Sequence, residues 1–179
     1  MLQQLHQAAQ YLSAFGICYV DKREDDSHTN LGWEMDHRRL ITHASGQEQL
    51  ALHFEDFALQ WIRNGEVVSS FGLHYKTHRS ALDWIDEQRN QAGLSDYNYT
   101  FHYELPYDVI RRDSVYMIAN PSQLGILANR LTKLQPIFKE FLVSNGLESP
   151  VRVWSHHFDL GLYTKVSEKL SIGFTCQFT

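Results

Sequence analysis

Apolar side chains recur along this chain at two periods, and the switches between them predict its elements. Leu2, Leu5, Ala9 and Leu12 stand at helical spacing with Gln3, Gln4, His6, Gln7 and Gln10 between them. That pattern predicts an amphipathic first helix closed near Gly16, with His6 facing water among the glutamines. A strand ending near Val20 comes next. Residues 21–30 are then too polar to pack and read as a mobile surface loop. Their acids lack the Asp-x-Asp-x-Asp-Gly spacing of a calcium-binding hand.

From residue 31 to 75 the period falls to two, giving the strands Arg39-Leu40-Ile41-Thr42, Leu50-Ala51-Leu52-His53-Phe54, Phe57-Ala58-Leu59-Gln60-Trp61-Ile62 and Val67-Val68-Ser69-Ser70-Phe71-Gly72-Leu73. Turn residues Ser45-Gly46, Glu55-Asp56 and Asn64-Gly65 separate them. Asn64-Gly65 is the strongest hairpin signal, because a type I′ turn needs positive φ at both central positions. Connectors this short imply an antiparallel meander.

A second helix opens with Ser80 as N-cap and closes at Gly93. Residues 97–105 alternate as a strand, aromatic on one face with Asn98, Thr100, His102 and Glu104 on the other. Residues 106–120 read as an irregular connector. A long helix then starts at Asn120-Pro121, carries Leu124, Leu127, Leu131, Leu134, Phe138 and Phe141, holds Pro136 inside, and ends at Asn145-Gly146. A last strand covers residues 170–178. The expected fold class is α+β: a mainly antiparallel meander of six to eight strands covered on one face by about three helices, in a single domain over residues 1–179.

Residues 149–163 combine the most strand-like run with the densest reactive side chains. Read as one continuous strand, they place Trp154, His156, Phe158, Leu160 and Leu162 on a core face and Val153, Ser155, His157, Asp159 and Tyr163 on the other. In that register His157 and Asp159 project together, so that the carboxylate orients the imidazole or both approach a divalent metal. The expected ligand-binding set is His157, Asp159 and Ser155, joined by His102 and Glu104 if their strand lies alongside. His157 and Asp159 are the candidate metal ligands. The structural alternative is that Asp159 caps a turn or meets an arginine. His74 and His78, four residues apart without the glutamate of a His-Glu-x-x-His motif, are read as incidental.

The strings Ser149-Pro150-Val151 and Trp154-Ser155-His156-His157-Phe158-Asp159-Leu160, together with Thr29-Asn30-Leu31-Gly32-Trp33 and Arg39-Leu40-Ile41-Thr42 upstream, carry a resemblance. They resemble an uncharacterised, mainly bacterial domain-of-unknown-function family with a Trp-Pro-His-His-Phe-Asp-Leu-like segment after a long helix. Ser155 stands where many of those relatives have proline, and the resemblance implies no activity.

Composition narrows the function classes. The 179 residues are 43% hydrophobic and 21% charged, as in soluble globular proteins, while 13% aromatic and ten histidines are high. A net charge of −5 with only isolated Arg38-Arg39 and Arg111-Arg112 pairs argues against a nucleic-acid surface. The glutamine-rich start has no signal-like or membrane-spanning run, and two cysteines in apolar surroundings allow a disulfide without indicating one; a cytoplasmic protein is expected. Ser155, His157 and Asp159 lack a nucleophile elbow, and no phosphate loop or dinucleotide fingerprint is present. Two readings remain open. One is a domain binding a small polar ligand or divalent metal, with catalysis undecided. The other is a non-catalytic interaction module, including a homodimer.

Overall fold

The expected meander is present. The structure, a computed structural model, describes residues 2–100, 103–105, 110–118, 120, 122–167 and 170–177, with backbone only at 165–167, 170, 172 and 177. Helix α1 (Leu2–Tyr19) leads through a short 3₁₀ turn (Ser27–Thr29) into five antiparallel strands: β1 (Gly32–Glu34), β2 (Arg39–Ile41), β3 (Glu48–His53), β4 (Ala58–Arg63) and β5 (Glu66–Gly72). Helices α2 (His78–Gln91) and α3 (Ser122–Ser144) precede a three-stranded sheet of β6 (Arg152–Trp154), β7 (Asp159–Ser167) and β8 (Leu170–Gln177). Asn64 and Gly65 both take positive φ, 54° and 83°, as the hairpin reading requires.

Leu31 and Val153 exchange both backbone hydrogen bonds, at 2.9 and 2.8 Å, and so set β6 beside β1. The strand order therefore reads β5-β4-β3-β2-β1-β6-β7-β8, an α+β arrangement with antiparallel neighbours throughout.

Register assigns the faces. Trp33, Leu40, Leu52, Leu59 and Phe71 face one another across β1 to β5, and Leu31, Val153 and Leu160 continue that face into the second sheet. All three helices cover it: Phe15 of α1 meets Trp61 edge-on, Trp84 of α2 stacks on Phe71, and Trp33 Nε1 donates to Thr132 of α3. The opposite face carries Gly32, Arg39, Arg152, Trp154, Asp159 and Tyr163 and has no helix laid over it among the described residues.

Several boundaries differ from the sequence reading. The strand expected before Val20 is the continuation of α1, which runs through Gly16. This glycine is not a stop but a close approach, since a Cβ there would stand 2.6 Å from the carbonyl oxygen of His28. His28, Thr29 and Asn30 are accordingly buried, and the charged segment folds down at its end. Thr77, not Ser80, caps α2, its side chain accepting from the Ser80 amide at 3.1 Å. Residues 94–100 form no ladder, although Tyr97 and Tyr99 do turn inward together, donating to backbone carbonyls of α1.

The largest difference lies at residues 149–163. They form a hairpin, not one strand: Trp154 pairs with Asp159, and Ser155 to Phe158 make a four-residue loop closed by Phe158 at φ 53°. Across such a loop the facing residues are Val153 and Leu160, which differ in parity, so the period-two assignment inverts on one side of the loop. Leu160 and Leu162 keep the core face expected of them, while Val153 replaces Trp154 there. Trp154 is half-buried on the open face, its ring 3.5 Å from where a Cβ of Gly161 would sit.

An alanine at a helix-interior glycine ordinarily stabilises by about 1 kcal/mol. At Gly16 the sign should reverse, with Gly16→Ala losing about 1–3 kcal/mol because the backbone of His28 must move. Thermal unfolding of the variant checks this; a raised melting temperature would show that the 3₁₀ turn is not seated on α1.

Candidate functional site

Helix α1 holds the β6–β7 loop in place. The Ser155 carbonyl oxygen accepts from His6 Nε2 at 2.5 Å and from Gln10 Nε2 at 2.9 Å, and the Phe158 ring stacks on His6 at 5.0 Å. A carbonyl only accepts, so His6 carries its proton on Nε2; burial pushes its pKa below the ordinary value. Both contacts offset the cost of a left-handed conformation at a phenylalanine, on the order of 1–2 kcal/mol. His6 is therefore buried instead of facing water.

With its backbone fixed, the loop directs His156 and His157 outward at the edge of the open face. His156 lies between rings: Tyr103 stacks on it at 4.2 Å and 22°, His157 is 4.2 Å away and Trp154 meets it edge-on at 6.1 Å. Tyr103 Oη donates to Asp26 at 3.0 Å, which draws the charged segment over the site. Burial and that hydrogen bond push the Tyr103 phenol up to about 12, while burial and His157 lower His156, so both rings are neutral at pH 7.

These side chains enclose a cleft of about 330 Å³ whose wall also includes Asp25, Asp159 and Tyr163. Asp159 is only 3% exposed, yet its Oδ1 has no hydrogen-bond partner among the described residues. Glu48, 8% exposed on the other face, shows the usual arrangement: it accepts from Trp61 Nε1 at 2.5 Å and Arg63 Nε at 2.6 Å. An unmet buried carboxylate oxygen costs stability and creates a demand for a donor. No Lys or Arg is among the described residues lining this cleft.

An adjoining cleft of about 310 Å³ shares Asp25, Trp154 and Tyr163 with the first and adds Arg23, His43 and Arg152. His43 Nε2 lies 3.0 Å from the Ser27 carbonyl and 2.9 Å from Asn30 Oδ1, and burial, with Arg152 and Arg23 nearby, pushes its pKa down to about 4. A wider cleft of about 510 Å³ lies at α2, lined by His78, Arg79, Asp83 and Arg112 among others. Its polar groups are better satisfied: Tyr11 Oη meets buried His78 Nδ1 at 2.6 Å, and Arg79 pairs with Asp83 at 3.9 Å. Burial likewise takes His78 down to about 4.

Of the residues expected at the site, the structure brings His157 and Asp159 to one cleft, the first exposed and the second buried. They arrive there from a loop and a strand start, not as neighbours on one strand face. Ser155 is buried at the loop's base and does not line the cleft. Glu104 is exposed and lines none of the three clefts, and His102 lies outside the described residues. Among the described residues no three His, Cys, Asp or Glu side chains form a metal-holding group. No ion pair joins Asp159 to an arginine among the described residues, and no donor reaches its Oδ1.

Trp154, His156, Asp25, Tyr103 and Arg152 were not legible as site residues. A signal existed for the first two: Leu52-His53-Phe54-Glu55-Asp56-Phe57-Ala58-Leu59 already spells the same loop, with Phe57 at φ 46° where Phe158 stands in the later one. Comparison with protein-family models, curated proteins and solved structures finds no match for the chain. No helix among the described residues is long and apolar enough to cross a membrane. Neither Cys18 nor Cys176 is in a disulfide.

His6, His43 and His78 share one linkage sign. Each is lowered in the folded chain from the ordinary histidine value of about 6.5, so the unfolded state binds more protons as pH falls. Stability should be full above about pH 6.5 and decline toward pH 4, by at most about 1.4 kcal/mol per pH unit for each group. Urea unfolding across that window checks this, and His43→Gln should reduce the slope; a slope unchanged in that variant would mean His43 is not desolvated.

Proposed function

We propose that the Asp159 cleft binds a small polar ligand bearing a protonated amine or a comparably donor-rich group. The observation that carries the reading is the buried Asp159 Oδ1 without a donor, set in a cleft walled by Trp154, His156, Tyr103 and Tyr163. A carboxylate supplies the counter-charge, and ring faces attract cations on their own account, by about 0.5–2 kcal/mol each. A second carboxylate, Asp25, stands on the same wall, so the charge of the lining favours a cationic group over an anionic one. His157, exposed at the rim, is placed to contact the part of the ligand that remains outside. The absence of a three-ligand group among the described residues weighs against the divalent-metal form of the reading.

The test is Asp159→Asn, which keeps shape and removes charge. In a thermal-shift and calorimetric screen of primary, secondary and quaternary amines, the parent protein should be stabilised by at least one compound and the variant by none. Without ligand, Asp159→Asn should be neutral or stabilising by up to about 1 kcal/mol, because the carboxylate is unmet in the free protein. A variant destabilised by several kcal/mol together with a parent indifferent to every amine would make Asp159 a structural residue and end the proposal.

A further inference from the structure

The adjoining cleft presents the opposite demand. Arg152 leaves β6 on the open face, half-buried, and lies over β1, where a Cβ on Gly32 would approach its Nη1 to 2.9 Å. Glycine at this position is what lets the guanidinium rest against the sheet. Other arginines of the sheet and its turns are neutralised: Arg38 meets Glu55 at 2.6 Å, Arg39 meets Glu34 at 2.5 Å and Arg63 meets Glu48 at 2.6 Å. Arg152 has no carboxylate or hydrogen-bond partner among the described residues.

A second cation faces it instead. Arg23 lines the same cleft, its guanidinium donating to Ser27 Oγ at 3.3 Å, and burial together with Arg23 lowers the pKa of Arg152. Asp25, the one acid among the described residues of this wall, has an oxygen occupied by the Ser27 amide at 3.1 Å. The half-buried Arg152 loses part of its hydration and is repelled by the exposed Arg23, with a neutral imidazole beside them and Asp25, whose charge acts on Arg23, as the carboxylate on the wall. An oxyanion between them would reverse both terms, and the planar fork of arginine suits carboxylate and phosphate oxygens alike.

We propose that this cleft is an anion subsite, taking a carboxylate or phosphate group on Arg152 and Arg23. It is a separate site from the Asp159 cleft and does not depend on it. The two share Asp25, Trp154 and Tyr163, however, so a small zwitterion with its ammonium at Asp159 and its oxyanion at Arg152 fits the pair.

Isothermal titration of the full chain with inorganic phosphate and, separately, with acetate tests the proposal, at low ionic strength so that screening does not hide weak binding. At least one anion should bind the parent, with affinity falling about tenfold or more in Arg152→Gln. Arg23→Gln alters an exposed side chain and keeps the test valid if Arg152→Gln does not fold; it should weaken binding in the same direction by a smaller factor. Asp159→Asn should leave anion binding in place, so loss of amine binding and loss of anion binding report on different clefts. Preference for phosphate or for acetate identifies which group the subsite is built for. No heat with either anion, or equal affinity in parent and both arginine variants, overturns the proposal.

Discussion

The two backbone hydrogen bonds between Leu31 and Val153 are the junction on which the rest of the structure depends. They are the only ladder contact between the meander and the C-terminal hairpin among the described residues, and they place both on one continuous surface. Because register propagates along a ladder, this single pairing decides which side chains of β6 and β7 face the helices and which face outward. Val153 and Leu160 join the core begun by Leu31 and Trp33, and that obliges Arg152, Trp154 and Asp159 to take the open face. Arg152 then has to cross β1, and Gly32 is the residue that permits it.

Polar groups are unevenly satisfied on the two faces, although buried Gln135 Oε1 of α3, on the covered side, also has no partner among the described residues. On the helix-covered side Glu48 has two donors and Trp33 Nε1 has Thr132. On the open side a buried carboxylate oxygen has no donor and a half-buried arginine has no acceptor among the described residues. The two groups are of opposite charge and project from the same hairpin, yet they do not neutralise each other. Trp154, packed over Gly161, belongs to the wall of both clefts. A sheet selected only for stability would pair or replace such groups, since a buried unmet polar atom costs on the order of 1–3 kcal/mol. Their retention on one surface is the physical basis for treating it as a binding face.

The loop between Trp154 and Asp159 is held by the same kind of economy. A left-handed phenylalanine is unfavourable in isolation, and the loop has neither glycine nor asparagine to ease it. His6 and Gln10, 149 and 145 residues away from Ser155, supply the compensating hydrogen bonds. The first helix is thus both a cover for the core and the clamp that aims His156 and His157.

By itself the sequence determined the kinds of element and their order through residues 39–75, though not β1 before them, because alternation with Asn64-Gly65 and Ser45-Gly46 turns is a local signal that local sterics obey. It also determined the long amphipathic helix and marked the segment from Trp154 to Asp159 as the place to look. It brought out His157 and Asp159 but put them on one strand, since a period-two reading has no means of detecting a loop whose strained residue is a phenylalanine stabilised from the other end of the chain. Gly16 read as a helix stop for the same reason: only the backbone of His28 lying against it explains a glycine within a helix. The tertiary structure alone decided that Trp154 and not Val153 faces the clefts, that Ser155 serves the loop's foundation, and that Asp159 and Arg152 stand without partners. Those are outcomes of long-range pairing, in which the side chains concerned are distant in sequence and the charge balance of a cavity is set by which of them meet.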